Sequence, residues 1–265
     1  MRLQDRVIIV VGAGQTPGET IGNGRAASLA FAREGAKVVL ADRREDSAQE
    51  TLDMLESEGF DGLIVKTDVT REKECKRLID ATVEAHGAVD VLHYNVGHGV
   101  GDVDFAEQDI AHWDAIMDAN LRGFFLCAKH VLPVMREQES GVILGVSSAA
   151  AVASGGGITY KASKAGMNAI VQSLAVKNGK YGIRVNALMP GLIDTPMAVE
   201  GLAKALKIGR EKLRANRNKA VPLQSRMGSA WDVANAAVFL ASDEASYISG
   251  VALPVDGALT ARVGG

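Results

Sequence analysis

Val7-Ile8-Ile9-Val10-Val11-Gly12-Ala13-Gly14, then Gly22-Asn23-Gly24, then Lys37-Val38-Val39-Leu40-Ala41-Asp42 are the stretches whose reading decides the fold. The first run is short, β-branched and without polar alternation. That pattern fits a strand buried on both faces, as in a parallel sheet. It empties into a glycine-rich turn. A helix carrying Ala26, Ala27, Leu29, Ala30 and Phe31 follows and ends near Glu34-Gly35. A second apolar strand comes next, closed by Asp42. Strand, glycine-rich turn, helix, strand and acid together make the pattern of a dinucleotide site. Glycines let the backbone approach a pyrophosphate, and the unpaired N–H groups of a helix N-terminus favour its charge. An acid closing the second strand binds both ribose hydroxyls and repels a 2′-phosphate, so Asp42 argues for NAD. Arg43 and Arg44 follow directly and offer charge to a phosphate, which keeps NADP open.

Outward from this stretch the alternation of strand and helix is regular. Strands are expected over Asp61–Thr67, closed by Asp68-Val69, and over Val89–Tyr94, ending in Asn95-Val96-Gly97. Others are expected over Gly141–Ser147, Ile183–Met189, ending in Pro190-Gly191, and Val251–Val255. Helices are expected over Glu72–Ala85, Ile110–Arg136 with Asn120 inside it, and Ala230–Ala241. Between Met197 and Ala220 the chain is polar and mobile-looking. Seven strands with no linker-like break indicate one doubly wound α/β domain. Ligands of such sheets bind at the carboxyl ends of the strands. Gly12, Asp42, Asp68, Asn95, Ser147-Ser148 and Pro190-Gly191 all fall there. Each is also an ordinary turn former, and their joint placement is what carries weight.

Tyr160-Lys161-Ala162-Ser163-Lys164 precedes Met167, Ile170, Val171 and Leu174, a helical spacing. Residues four apart share a helix face, so a phenol and an ammonium project into one site. A free tyrosine is a poor base at neutral pH, and a neighbouring positive charge lowers its pKa. The pair suits proton transfer to or from an alcohol oxygen. Ser147-Ser148, at the end of the fifth strand, offers a hydroxyl to the same oxygen. His93 and His98 bracket Asn95, and a structural role is the more ordinary reading for both.

The 265 residues are 47% apolar and 23% charged with a net charge of −3, an ordinary balance for a globular protein. Nothing in it marks a nucleic-acid or membrane partner. Cys75 and Cys127 have no metal-ligand spacing, and a reduced, cytoplasmic protein without metal is expected. The charged N-terminus does not read as a signal peptide, and no apolar run approaches the roughly 20 residues that span a bilayer.

These motifs resemble those of the short-chain dehydrogenase/reductase family, classical single-domain type, over essentially the whole chain. Tyr160-x-x-x-Lys164 is similar to the family's catalytic pair, and Asn95-Val96-Gly97 to its Asn-Ala-Gly motif. Asn120 is similar to the helix asparagine that supports a proton-relay water. Pro190-Gly191 through Thr195-Pro196-Met197 is similar to the segment that clasps the nicotinamide, and Val255-Asp256-Gly257 to the C-terminal signature. The resemblance implies one Rossmann domain over residues 1–265, a substrate lid at about 197–220, and a dimer or tetramer. It implies hydride transfer between NAD, or NADP, and a secondary alcohol or ketone of a small molecule. Tyr160, Lys164, a serine and Asn120 would be catalytic. Gly12, Gly22, Asn23, Gly24, Asp42 and Arg43 would hold the adenosine and phosphates, and Asp68 and Val69 would also bind the cofactor. Asn95, Gly97, Tyr160, Lys164, Pro190, Gly191, Ile193 and Thr195 would hold the nicotinamide half.

Two departures stand out. Gly12 and Gly22-Asn23-Gly24 are separated by about six residues more than in the family's turn. Gly12 ends the strand and is preferred as the first glycine; Gly18 with Gly22 and Gly24 is the alternative, and the path of 13–21 is open, bulging over or around the cofactor phosphates where Gln15, Thr16 or Thr20 could supply side-chain bonds. The spacing to Tyr160 picks Ser147 as the catalytic serine, whereas alignment along the strand picks Ser148. A lost residue is absorbed more easily in the loop Ala149–Ile158 than in a buried strand, where a slip flips every side chain, and Ser148 is preferred.

Overall fold

The computed structural model describes residues 1–153 and 157–262. Seven strands form one parallel sheet: β1 Val7–Val11, β2 Lys37–Asp42, β3 Gly62–Lys66, β4 Val91–Tyr94, β5 Gly141–Val146, β6 Ile183–Pro190 and β7 Ala252–Val255. Their order is β3-β2-β1-β4-β5-β6-β7. The helices are α1 Asn23–Arg33, α2 Glu45–Ser57, α3 Glu72–His86, α4 Ile110–Met117, α5 Gly123–Glu137, α6 Ile158–Asn178, α7 Leu202–Leu206, α8 Arg210–Ala220 and α9 Ala230–Ala241.

Side chains alternate across β1 and fill two cores, one on each face of the sheet. Ile8 and Val10 face α1 and α9, where Leu29, Phe31, Val233 and Val238 are buried with them. Ile9 and Val11 face α3, α5 and α6, where Leu78, Phe124, Met167 and Val171 complete the second core. Burial on both faces is why the strands read as unbroken apolar runs. Phe31 and Phe124 are wholly buried, each contributing about 1.5–3 kcal/mol of apolar transfer. Helix α9 starts at a reciprocal cap, Ser229 with Asp232.

Strand order reverses between β2-β1 and β4-β5, which opens a crevice at the carboxyl ends of β1 and β4. The Asn95 side-chain amide donates to the Gly12 carbonyl across that crevice at 3.1 Å.

The structure corrects three expectations. The span expected as one helix over Ile110–Arg136 is broken by a π-turn at Asp118–Arg122, and Asn120 sits inside it. The segment Met197–Ala220 is not irregular: a π-turn at Met197–Gly201 leads into α7 and α8. Its apolar residues are few because only one side is covered, with Val199, Ala203 and Leu213 buried. Helix α2, between the second and third strands, was not among the expected elements. Part of the loop Ala149–Ile158, residues 154–156, lies outside the described residues.

Candidate active site

Gly12 leaves β1 with φ +84°, a conformation that favours glycine. Its carbonyl lies against α1, where a Cβ at Gly24 would fall on the Gly12 oxygen. Strand end and helix start therefore touch only because both positions are glycine. Gly22 is the N-cap of α1 and offers no side chain. The next residue, Asn23, has a buried Oδ1 with no hydrogen-bond partner. A bare helix N-terminus, a glycine cradle and an orphaned polar atom fit a pyrophosphate. Asp42 closes β2 and accepts the Gly14 N–H at 2.9 Å and the Arg44 N–H at 3.0 Å. Asp68 accepts both the N–H and the hydroxyl of Thr70, at 3.0 and 2.8 Å, ahead of α3. Val69 is buried beside Gly123. Arg43 is exposed, and its charge helps to lower the pKa of His98 after burial.

The extra residues after Gly12 fold back onto the site. Gln15 accepts the Gly22 N–H through its side-chain oxygen at 2.7 Å, and its own N–H reaches the Ser47 hydroxyl at 2.9 Å. Gly18 packs on Pro196, where a Cβ would lie 2.8 Å from the proline side chain. Glu19 pairs with Arg210 at 3.0 Å and with Arg214 at 3.4 Å, both on α8. The glycine-rich turn and the Met197–Ala220 segment are thus in contact. Gly12, rather than Gly18, is the glycine against α1.

Tyr160 is the third residue of α6, and Lys164 follows one turn later on the same face. The two serines after β5 diverge. Ser147 is buried and donates to the Lys164 carbonyl at 3.0 Å. Ser148 is extended, accepts the Ala150 N–H at 3.1 Å, and is the serine whose hydroxyl acts to lower the Tyr160 pKa. Lys164 is 1% exposed. Its ammonium donates to the carbonyls of Val146 at 2.7 Å and Val96 at 3.2 Å. A Cβ at Gly97 would lie 2.7 Å from that ammonium, so the glycine leaves room for it.

Burial lowers the Lys164 pKa to about 7. Burial also raises the Tyr160 pKa, and the neighbouring Ser148 hydroxyl acts against that rise. Lys164 does not point its ammonium at the phenol oxygen in this arrangement. Its nitrogen lies 5.8 Å from the ring centroid and spends its protons on backbone carbonyls.

Asn120 is fully buried in the π-turn. Its amide accepts the His98 N–H and donates to the His98 carbonyl, both at 2.9 Å, and donates to the Ser163 hydroxyl at 3.0 Å. Pro190 ends β6 beside Val255, and the Gly191 N–H reaches the Val255 carbonyl at 3.0 Å. Ile193 is bridged to Gly228, and Thr195 is 5% exposed. His93 is buried in the core with both ring nitrogens unpartnered, packed edge-on to Phe31.

The sequence-predicted residues therefore meet at one edge of the sheet. Two side chains that shape the same region were not expected there: Asp102, which bonds the first-turn amides of α6, and Glu19; Gln15 was expected to supply side-chain bonds in the turn. For Glu19 the added turn length was the available signal. Asp102 had none, because its partners are more than fifty residues away.

The chain matches the sequence pattern of the family described as Enoyl-(Acyl carrier protein) reductase over residues 19–260. It is 37% identical over 258 residues to cis-4-hydroxycyclohexanecarboxylate dehydrogenase of Sinomonas cyclohexanicum, covering 97% of each chain. It is 36% identical over 264 residues to the 3-oxoacyl-[acyl-carrier-protein] reductase FabG of Thermotoga maritima, covering 98% of this chain and 99% of that one. A solved 7α-hydroxysteroid dehydrogenase, complexed with NADH and 7-oxo glycochenodeoxycholic acid, superposes with a TM-score of 0.85 at 33% identity. It covers 97% of this chain and 94% of that one. Fold, site and likeness over the full length agree: the chain belongs to the short-chain dehydrogenase/reductase family and is an oxidoreductase of the NAD(P)-dependent kind.

Proposed function

We propose that the protein is an NAD-dependent dehydrogenase/reductase acting on a secondary alcohol or ketone of a small molecule. The observation that carries this reading is Tyr160 and a buried Lys164 one helical turn apart on α6, beside a glycine cradle with an orphaned polar atom. Gly12, Gly22, Asn23 and Gly24 would hold the dinucleotide phosphates, Asp42 the adenosine ribose, and Asn95, Gly97, Pro190, Gly191, Ile193 and Thr195 the nicotinamide half. A bound nicotinamide supplies the hydride acceptor or donor.

The chain's own groups handle the proton. Tyr160 takes it from the substrate hydroxyl in oxidation and returns it in reduction. Ser148 holds the substrate oxygen. Lys164 carries the charge that makes the phenol a better acid when its ammonium is turned from the carbonyls toward Tyr160. Asn120 ties the Asn95 segment to α6 and holds the route behind Lys164 in place. The segment from Met197 to Ala220 covers the substrate side. Cyclic alcohols are the first substrates to try, because two relatives are named for cyclic compounds.

Asp42 favours NAD by repelling a 2′-phosphate, while the exposed Arg43 beside it supports an NADP reading. Exposed Ile110, Phe125 and Val176 on α4, α5 and α6 support a homo-oligomer, which sedimentation velocity tests. The functional test is a screen of cyclic, steroid, sugar and aromatic alcohols with each cofactor. Reduction of NAD by at least one secondary alcohol is expected, with weaker use of NADP that improves in Asp42→Ala. Cofactor binding without turnover across the whole panel would overturn the assignment.

A further inference from the structure

Helix α6 begins with a bare N-terminus. Its N-cap, Gly157, has no side chain, and a Cβ there would fall on the Asp102 carboxylate. Asp102 supplies the missing cap from elsewhere in the chain. One oxygen accepts the Thr159 N–H at 3.1 Å and the other accepts the Tyr160 N–H at 2.8 Å. These are the second and third residues of the helix, the amides an N-cap side chain ordinarily serves.

The capping segment follows β4 and borders the phenol from a second side. Its Asp102 N–H closes a turn onto the Gly99 carbonyl at 3.3 Å. A Cβ at Gly99 would sit 3.6 Å from Tyr160 Cβ. Upstream, His98 is held to Asn120 through both of its backbone polar groups. The Ser163 hydroxyl, bonded to Asn120, donates to the Tyr160 carbonyl at 2.7 Å. Tyr160 is thus gripped at its own amide and its own carbonyl by groups that also hold the 97–104 segment.

We propose that Asp102 is a positioning residue for Tyr160: its carboxylate clamps the first turn of α6 to the 97–104 segment and so sets where the phenol meets the substrate oxygen. The proposal rests on the reading of Tyr160 as the proton-transfer group. A cap on any other helix would act on stability alone. Here the capped amide is that of the reacting residue, and a small misplacement beside a reacting group costs about a hundredfold in rate.

The test compares wild type with Asp102→Ala and Asp102→Asn, by amide hydrogen exchange, kcat, KM and cofactor Kd. In Asp102→Ala the Thr159 and Tyr160 amides exchange about 5- to 30-fold faster, the scale of a lost N-cap. Its kcat falls roughly ten- to a hundredfold, while cofactor Kd stays within about twofold. Asp102→Asn keeps one acceptor oxygen and is intermediate in both exchange and kcat. Across the series kcat follows protection of the two amides. Unchanged kcat where protection is lost, or lost kcat where protection is kept, overturns the proposal. If the alanine variant does not fold, the nearly isosteric asparagine variant supplies the same comparison. A wild type that turns over nothing removes the underlying reading as well; an active wild type with an unresponsive Asp102→Ala removes this proposal alone.

Discussion

Lys164 should make the fold less stable, and Lys164→Met measures by how much. The side chain is 1% exposed, and burial brings its pKa from 10.5 to about 7. Between those values the unfolded chain holds a proton that the folded chain gives up. Stability therefore rises with pH across that window and bears its full cost at and below the folded value. At 1.36 kcal/mol per pH unit, the cost is about 4 kcal/mol at pH 7 and about 2 kcal/mol at pH 9. Methionine is of similar length and carries no charge to desolvate. It forfeits the two bonds to the Val96 and Val146 carbonyls, worth about 0.5–1.5 kcal/mol each, or somewhat more at a charged donor. The variant is accordingly expected to gain about 1–3 kcal/mol at pH 7 while losing turnover. Urea unfolding of both proteins at several pH values is the assay. The stability difference, variant minus wild type, should shrink by about 2 kcal/mol between pH 7 and pH 9. A difference that is flat over this range, or that grows, would refute the claim that the buried ammonium is held at a cost.

His93 gives the opposite end of the pH scale. Burial lowers its pKa from 6.5 to about 4, so the unfolded chain binds an extra proton in that interval and stability falls with acidity through it. His93→Leu should flatten this limb by about 3 kcal/mol; an unchanged acid limb would show that His93 is not the group. Glu19 ties the glycine-rich turn to α8 through Arg210 and Arg214. Glu19→Gln should speed tryptic cleavage within 203–214 and leave the thermal midpoint almost unmoved, because exposed pairs contribute about 0–1 kcal/mol. Cleavage at the wild-type rate would show that the pairs do not hold the segment.

The framework was readable in the sequence wherever one physical pattern decided it. Buried parallel strands give unbroken apolar runs, and β1, β2 and β5 were visible as such. Gly12 and Gly24 were readable as a pair because a strand end and a helix start meet there. What depended on an unseen neighbour was not readable. An extra residue in a helical turn leaves apolar periodicity nearly intact, so the π-turn around Asn120 was hidden. The segment from Met197 to Ala220 read as irregular because its helices bury little and it lies partly against the added turn residues. Sequence separated Ser147 from Ser148 only through a register argument, whereas their hydroxyls have different partners, the Lys164 carbonyl for Ser147 and the Ala150 N–H for Ser148. The direction of the Lys164 ammonium, onto carbonyls of two strand ends, is a property of the packed fold alone.

The most direct measurement is hydride transfer by Tyr160→Phe at a cofactor occupancy matched to wild type by nicotinamide fluorescence. The phenylalanine keeps the ring and removes only the hydroxyl proposed to carry the proton. Turnover of a secondary alcohol should fall by about a hundredfold or more, with cofactor Kd within about twofold. A variant that turns over at the wild-type rate would contradict the account, because proton transfer would then belong to some other group.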